Sequence, residues 1–154
     1  IPGNHDDYDY LPKHNLTYPN GKPHGIEIHG GLEFFWVRGG LSVDKHWRTE
    51  GVSWWPNEEL DYLQANESVE NYERIKPKIV ISHDCPTSIY VHVMTNPDKA
   101  KGSQTSKLLQ ALYDIHQPDA WYFGHHHRRL TVEVGQTTFE CLGELDYLDI
   151  EVEK

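Results

Sequence analysis

Cysteine is nearly absent from the sequence, with two residues, Cys85 and Cys141, among 154. Two cysteines cannot build the disulfide framework of a small secreted domain, so the sequence favours a reducing, cytoplasmic location. Long apolar runs are missing as well. None approaches the roughly 20 residues that a membrane-spanning helix needs, so we expect no membrane partner. Basic residues are few, 14 against 24 acidic ones for a formal charge of −10, which argues against a nucleic-acid substrate.

Histidine, by contrast, is abundant, with eleven residues. Three polar clusters contain histidine: Gly3-Asn4-His5-Asp6, Ser82-His83-Asp84 and Gly124-His125-His126-His127. Imidazole nitrogen and amide or carboxylate oxygen are suitable ligands for divalent transition metals. A single loop histidine is ordinarily only a solvated side chain, and a histidine triplet can be a surface accident. The triplet here, however, follows an apolar run, which favours a metal site.

Hydrophobic periodicity predicts that helices alternate with buried strands. The pattern predicts a hairpin over residues 26–29 and 32–38, a helix from Asn57 to Ile75, a strand over 78–82, a helix capped by Ser103, a strand over 120–123 and a final meander over 130–134, 137–142 and 147–152. This order predicts a mixed α/β fold. In such folds ligands bind beyond the carboxyl ends of strands, where His83 and His125 are expected to lie.

The three clusters together resemble the motif series of the calcineurin-like metallophosphoesterase family. That series runs D-x-H, G-D-x-x-D, G-N-H-[DE], an isolated histidine after a strand, and G-H-x-H. The Gly3 cluster is similar to the third block, His83 to the fourth and the Gly124 cluster to the fifth, in the same order. The resemblance covers essentially the whole chain. It implies an α/β fold in which a β-sandwich is flanked by helices in the order α/β/β/α.

The resemblance also implies a role for each matching residue. Asn4, His83 and His125 would coordinate one ion of a two-metal site, and His127 would coordinate the other. His5 would stand beside the scissile phosphate as a general acid or as a stabilising charge. Asp6 and Asp84 would not bind an ion themselves but would orient the imidazoles of the histidines that do.

The implied activity is hydrolysis of a phosphoester, by a phosphatase or a phosphodiesterase, through a water molecule activated by two divalent ions. Mn²⁺ is the first expectation, with Fe, Zn, Ni or Mg as alternatives. The substrate would be a small molecule or a phosphoprotein. A catalytically inactive metal-binding or interaction domain of the same fold is the alternative interpretation.

Two blocks of the series, D-x-H and G-D-x-x-D, have no counterpart ahead of Gly3. We therefore expect residues 1–154 to form the carboxy-terminal part of a single metallophosphoesterase domain, truncated at the amino end and holding part of the site. Trp54-Trp55-Pro56, together with Asp44 and Arg48, looks like a feature of a subgroup, and no role is assigned to it. Residues 47–55 and 84–102 are predicted to form the walls of a substrate cleft.

Overall fold

Six strands and four helices make up the regular structure of the described residues, which are 1–14, 22–96, 98 and 102–151 of the computed structural model. The strands are β1 His24–His29, β2 Leu32–Val37, β3 Ile79–Ser82, β4 Ala120–Phe123, β5 Leu130–Val134 and β6 Thr137–Cys141. The helices are α1 Tyr10–Lys13, α2 Tyr62–Ile75, α3 Tyr90–Val93 and α4 Gln104–Ile115, and short 3₁₀ turns lie at Lys45–Trp47 and Thr87–Ile89. Within these residues no helix combines the length and apolar character that a membrane crossing requires.

The six strands form one mixed sheet in the order β1-β2-β3-β4-β6-β5. The four central strands are parallel, whereas β1 and β5 pair antiparallel at the two edges. Parallel neighbours need long crossovers, and α2 and α4 lie in the connections from β2 to β3 and from β3 to β4. The α/β prediction and the hairpin at Gly30 and Gly31 are confirmed. Among the described residues all strands belong to this single sheet, whereas the resemblance implied a sandwich of two.

The hydrophobic core lies between one face of the sheet and helices α2 and α4. Because side chains alternate along a strand, every second residue of the central strands points toward these helices. The sheet contributes fully buried Phe35, Val80, Trp121 and Phe139, and the helices contribute Tyr72, Leu109 and Leu112. Burial of these side chains stabilises the arrangement that presents the strand ends to the site.

Helix α2 begins later than its sequence predicts, so the prediction of a start at Asn57 is wrong. The side chain of Asp61 accepts a hydrogen bond from the backbone N–H of Gln64, whose side chain bonds back to Asp61, and this capping box begins the helix at Tyr62. Glu58 is instead buried in the preceding loop, where its carboxylate accepts a hydrogen bond from the N–H of Ser42. The predicted cap of α4 is confirmed, since Ser103 accepts from the N–H of Ser106.

The last predicted strand is not formed over residues 147–151, and Val152 lies outside the described residues. Tyr147 is 80% exposed and Leu148 is 38% exposed. Without a neighbouring strand to pair with, this apolar run stays irregular. The preceding hairpin of β5 and β6 turns at Gly135, as predicted.

The carboxyl ends of β2, β3 and β4 lie at one edge of the sheet. Backbone hydrogen bonds also join the residues that directly follow β3 and β4 to the end of the neighbouring segment. The N–H of His83 donates to the carbonyl of Val37 at 3.3 Å, and the N–H of Gly124 donates to the carbonyl of His83 at 3.0 Å. The N–H of Gly39 donates to the carbonyl of Pro2 at 3.1 Å. The amino-terminal segment is thereby fixed beside the ends of the three strands.

Candidate metal centre

Three side-chain donor atoms from separate segments converge at this edge. Nε2 of His83 lies 2.9 Å from Oδ1 of Asn4 and 3.2 Å from Nδ1 of His125. Two ligands that bind one ion at about 2.1 Å each, at a right angle, stand roughly 3 Å apart. The spacing and chemistry of these three atoms therefore fit a divalent metal ion.

Glycines allow the segments to approach so closely. A Cβ atom at Gly3 would lie 2.5 Å from Cε1 of His83, and one at Gly40 would lie 3.3 Å from Cδ2 of the same ring. Real Cβ contacts are essentially never as short as the first of these. The glycine of the first cluster is thus needed because the imidazole of His83 occupies the space of a side chain.

The loop after β4 holds two histidines in the left-handed backbone region. The φ angles of His125 and His127 are 66° and 52°. Residues other than glycine adopt this region at a cost, and such strain is concentrated at functional sites. The turn brings the ring of His125 back over the strand ends toward His83.

Asn4 is oriented by a buried polar chain that the sequence motifs do not reveal. Its Nδ2 donates to Oγ of Ser42 at 2.9 Å, which leaves Oδ1 directed at His83. The N–H of Ser42 in turn donates to Oε1 of Glu58 at 3.1 Å. Asn4, Ser42 and Glu58 are each at most 4% exposed, so this chain fixes which amide atom faces the candidate ion.

Both candidate imidazoles are held in their neutral form. Burial, and after it the neighbouring His125, lowers the pKa of His83 to about 3. Burial likewise lowers the pKa of His125. A neutral imidazole has the nitrogen lone pair that a metal ion requires.

We expect the metal-free protein to lose stability as the pH falls below about 6.5, the usual pKa of histidine. Between that value and the folded-state pKa of about 3, the unfolded chain binds a proton at His83 and the folded chain does not. The free energy of unfolding then falls by on the order of 1 kcal/mol per pH unit. Urea unfolding at pH 7.5, 6.5 and 5.5 with EDTA measures this slope. A slope that is unchanged in His83→Ala would contradict the explanation.

Asp84 is the centre of a hydrogen-bond network behind the three donors. Its buried carboxylate accepts from Oγ of Ser106 at 2.7 Å, from the N–H of Cys85 at 2.8 Å, from the hydroxyl of Tyr90 at 3.1 Å and from Nε2 of His126 at 3.1 Å. Burial opposes ionisation of Asp84, but the hydrogen bonds from His126 and Ser106 and the nearby imidazoles of His125 and His126 together outweigh burial and hold the pKa below its usual value. The imidazole that Asp84 contacts is thus that of His126.

Asp84, Cys85 and His126 also have potential ligand atoms within 4.8 Å of one another. The carboxylate of Asp84 is already saturated with donors, as its four hydrogen bonds show. Burial raises the pKa of the Cys85 thiol, and its Sγ already lies 3.5 Å from Nε2 of His126. These contacts describe a supporting network better than a second metal site.

The remaining predicted residues lie around the three donors. His5 is exposed, with Nε2 at 3.3 Å from Nδ2 of Asn4. His127 is 67% exposed in its side chain and pairs with Glu144, so the structure does not bring it to the three donor atoms. Asp6 accepts a hydrogen bond from the N–H of Gly3 at 2.6 Å and thus orders the turn of the first cluster.

Two D-x-H triplets occur after the Gly3 cluster, beginning at Asp44 and at Asp114. The carboxylate of Asp44 is engaged by Arg48 at 2.7 Å, and that of Asp114 accepts from Gln110 at 2.8 Å. The histidine of the second triplet, His116, contacts the carbonyl of Pro77 instead. Neither triplet contributes to the converging donor atoms.

One oxygen and two nitrogen donors at the strand ends of a mixed α/β sheet thus form a candidate metal centre. The sequence model of the family described as calcineurin-like phosphoesterase matches residues 1–129, and the chain belongs to this family. The resemblance drawn from the three clusters is confirmed. The family consists in general of metal-dependent phosphoesterases. No individual curated protein matches the sequence.

Proposed function

We propose that the chain hydrolyses phosphoesters with the help of divalent metal ions, and that Asn4, His83 and His125 hold one of them. The observation that carries this proposal is the convergence of three donor atoms from three segments, at 2.9 and 3.2 Å. Neutral imidazoles and an oriented amide offer the lone pairs that a metal ion requires. Family membership supplies the reaction class.

We propose Mn²⁺ as the first choice, with Fe, Zn, Ni or Mg as alternatives. The donor set combines imidazole nitrogen with amide oxygen and includes no thiolate, which disfavours the softest metals. We assign His127 to a second ion. Its exposed side chain would exchange the contact with Glu144 for the metal.

Divalent ions held there would polarise a phosphoryl oxygen and lower the pKa of a water molecule. The chain positions the groups that would surround the ions. Ser42 accepts a hydrogen bond from Nδ2 of Asn4 and so keeps Oδ1 directed at the candidate ion position. Asp84 holds the loop that contains His125 by its hydrogen bond with the neighbouring His126. His5 lies beside Asn4 and lines the cavities on both sides of the centre. We assign it to donate a proton to the leaving oxygen, a role that histidine suits because it titrates near neutral pH.

The proposal is tested by following hydrolysis of p-nitrophenyl phosphate and bis(p-nitrophenyl) phosphate, a monoester and a diester, with Mn²⁺ and with EDTA. We expect weak turnover that needs the metal and that falls by about 100-fold in His5→Ala. His92→Ala, which removes an exposed histidine of α3, is the matched control and should retain the rate. Turnover that survives His5→Ala, His83→Ala and His125→Ala would overturn the proposal. Mn²⁺ binding without any turnover would favour the inactive metal-binding alternative.

A further inference from the structure

A second cavity, of about 570 Å³, adjoins the candidate metal centre. Asn4, His5, His125 and His127 line both this cavity and the first one of about 520 Å³, so the two meet at the predicted site. Volumes of this size are typical of pockets for small ligands. A phosphoester whose phosphorus lies at the metal centre can therefore place the rest of its structure in the second cavity.

Arg48 lines the second cavity in a fixed orientation. Its Nε and Nη2 donate to the two carboxylate oxygens of Asp44 at 2.9 and 2.7 Å. This two-point contact holds the planar guanidinium by one edge. The third nitrogen, Nη1, has no acceptor among the described residues and is available to a ligand.

A second guanidinium lines the same cavity from a different segment. Nη1 of Arg128 donates to the carbonyl of Val93 at 3.2 Å, which positions this group beside the loop that follows α3. Among the described residues that line the cavity Asp44 is the single carboxylate, and Arg48 already engages it. In a chain with a net charge of −10, the described lining of this cavity carries two guanidinium groups and one carboxylate, a formal excess of one positive charge.

We propose that the second cavity binds an additional phosphate group of the substrate, so that the preferred substrate is a small phosphoester with two phosphates. This inference rests on the proposed function and names its substrate class. Two guanidinium groups from separate segments suit a tetrahedral phosphate, which offers oxygens in several directions, whereas one guanidinium is enough to match a planar carboxylate. The volume also accommodates a sugar-sized group that links the two phosphates.

The test compares glucose 1-phosphate with glucose 1,6-bisphosphate on the Mn²⁺-loaded chain. Isothermal titration calorimetry gives the two dissociation constants, and phosphate release gives kcat/KM wherever turnover is measurable. We expect the bisphosphate to be favoured by about tenfold to 100-fold. Arg48→Gln and Arg128→Gln should each reduce this ratio by about tenfold. Arg129→Gln, next in sequence but outside the cavity lining, should preserve it.

The inference would be overturned if the two sugar phosphates bound equally well. It would also be overturned if Arg48→Gln and Arg128→Gln both left the preference for the bisphosphate intact. Hydrolysis of p-nitrophenyl phosphate without any preference for the bisphosphate would overturn the subsite alone and leave the proposed function in place. A binding preference that depends on the arginines in a chain without turnover would support the subsite and count against hydrolysis. Arg48→Lys separates charge from geometry, because a lysine keeps the charge but cannot reproduce the two-point contact with Asp44.

Discussion

His83→Ala is expected to lower the affinity of the chain for Mn²⁺ by about 100-fold or more. Loss of a residue that merely supports a metal ligand costs about 10- to 100-fold in affinity, so removal of a ligand is expected to cost at least the upper value. His83 is the central donor, since its Nε2 contacts both Oδ1 of Asn4 and Nδ1 of His125. The signal of free Mn²⁺ in electron paramagnetic resonance measures the affinity directly.

A matched pair of substitutions distinguishes the two groups of potential ligands. Cys85→Ala removes the sulfur from the group formed with Asp84 and His126 and leaves the three proposed donors in place. We expect it to change Mn²⁺ affinity by less than about threefold, because the protonated thiol takes no part in the proposed site. The exposed His92 again provides the histidine control. If Cys85→Ala abolished binding and His83→Ala did not, the ion would belong to the Asp84 group.

The sequence predicted the elements that depend on local patterns. The hairpin of β1 and β2, the buried strands β3 and β4 and the cap at Ser103 all follow from periodicity, turn residues and capping chemistry. Because the parallel strands end at one edge, placing His83 and His125 there needed no knowledge of tertiary contacts. The structure brings these two residues together with Asn4, as the motif series implied.

The contacts that orient these donors depend on residues far apart in sequence. Ser42, which supports Asn4, lies 38 positions after it, and Glu58, which supports Ser42, lies 16 positions further along the chain. Neither residue belongs to a motif. The start of α2 was predicted too early for the same reason. Glu58 is an acidic residue of the kind that begins helices, but its buried carboxylate accepts a hydrogen bond from the N–H of Ser42. His126 occupies the variable position of its motif, yet it is the imidazole that Asp84 holds.

Gly39→Ala is expected to lower the free energy of unfolding by about 2–5 kcal/mol, which is a large part of the total stability of a typical domain. Two costs combine at this position. The φ angle of Gly39 is 80°, in the region where a side chain costs about 1–2 kcal/mol. A Cβ atom would also lie 2.2 Å from the carbonyl oxygen of Glu58, so the backbone must shift.

Gly51→Ala separates these two costs. Gly51 has a similar φ angle of 74°, but an added Cβ would meet no atom within 4 Å. We therefore expect a loss of only about 1–2 kcal/mol in urea unfolding. The difference between the two variants measures the steric conflict with Glu58. Equal losses would show that the loop of Glu58 yields easily and does not hold Gly39 in place.

The same pair of variants connects this packing to the metal centre. The N–H of Gly39 donates a hydrogen bond to the carbonyl of Pro2, which lies two residues before Asn4. The N–H of Gly40 donates a hydrogen bond to the carbonyl of Glu58. A backbone shift at Gly39 therefore displaces Asn4 and its support at Ser42 together. We expect Gly39→Ala, in the fraction that remains folded, to bind Mn²⁺ at least tenfold more weakly, in the range seen when the support of a ligand is lost. Gly51→Ala should bind Mn²⁺ as the unsubstituted chain does, and weaker binding in that variant would contradict a local origin of the effect.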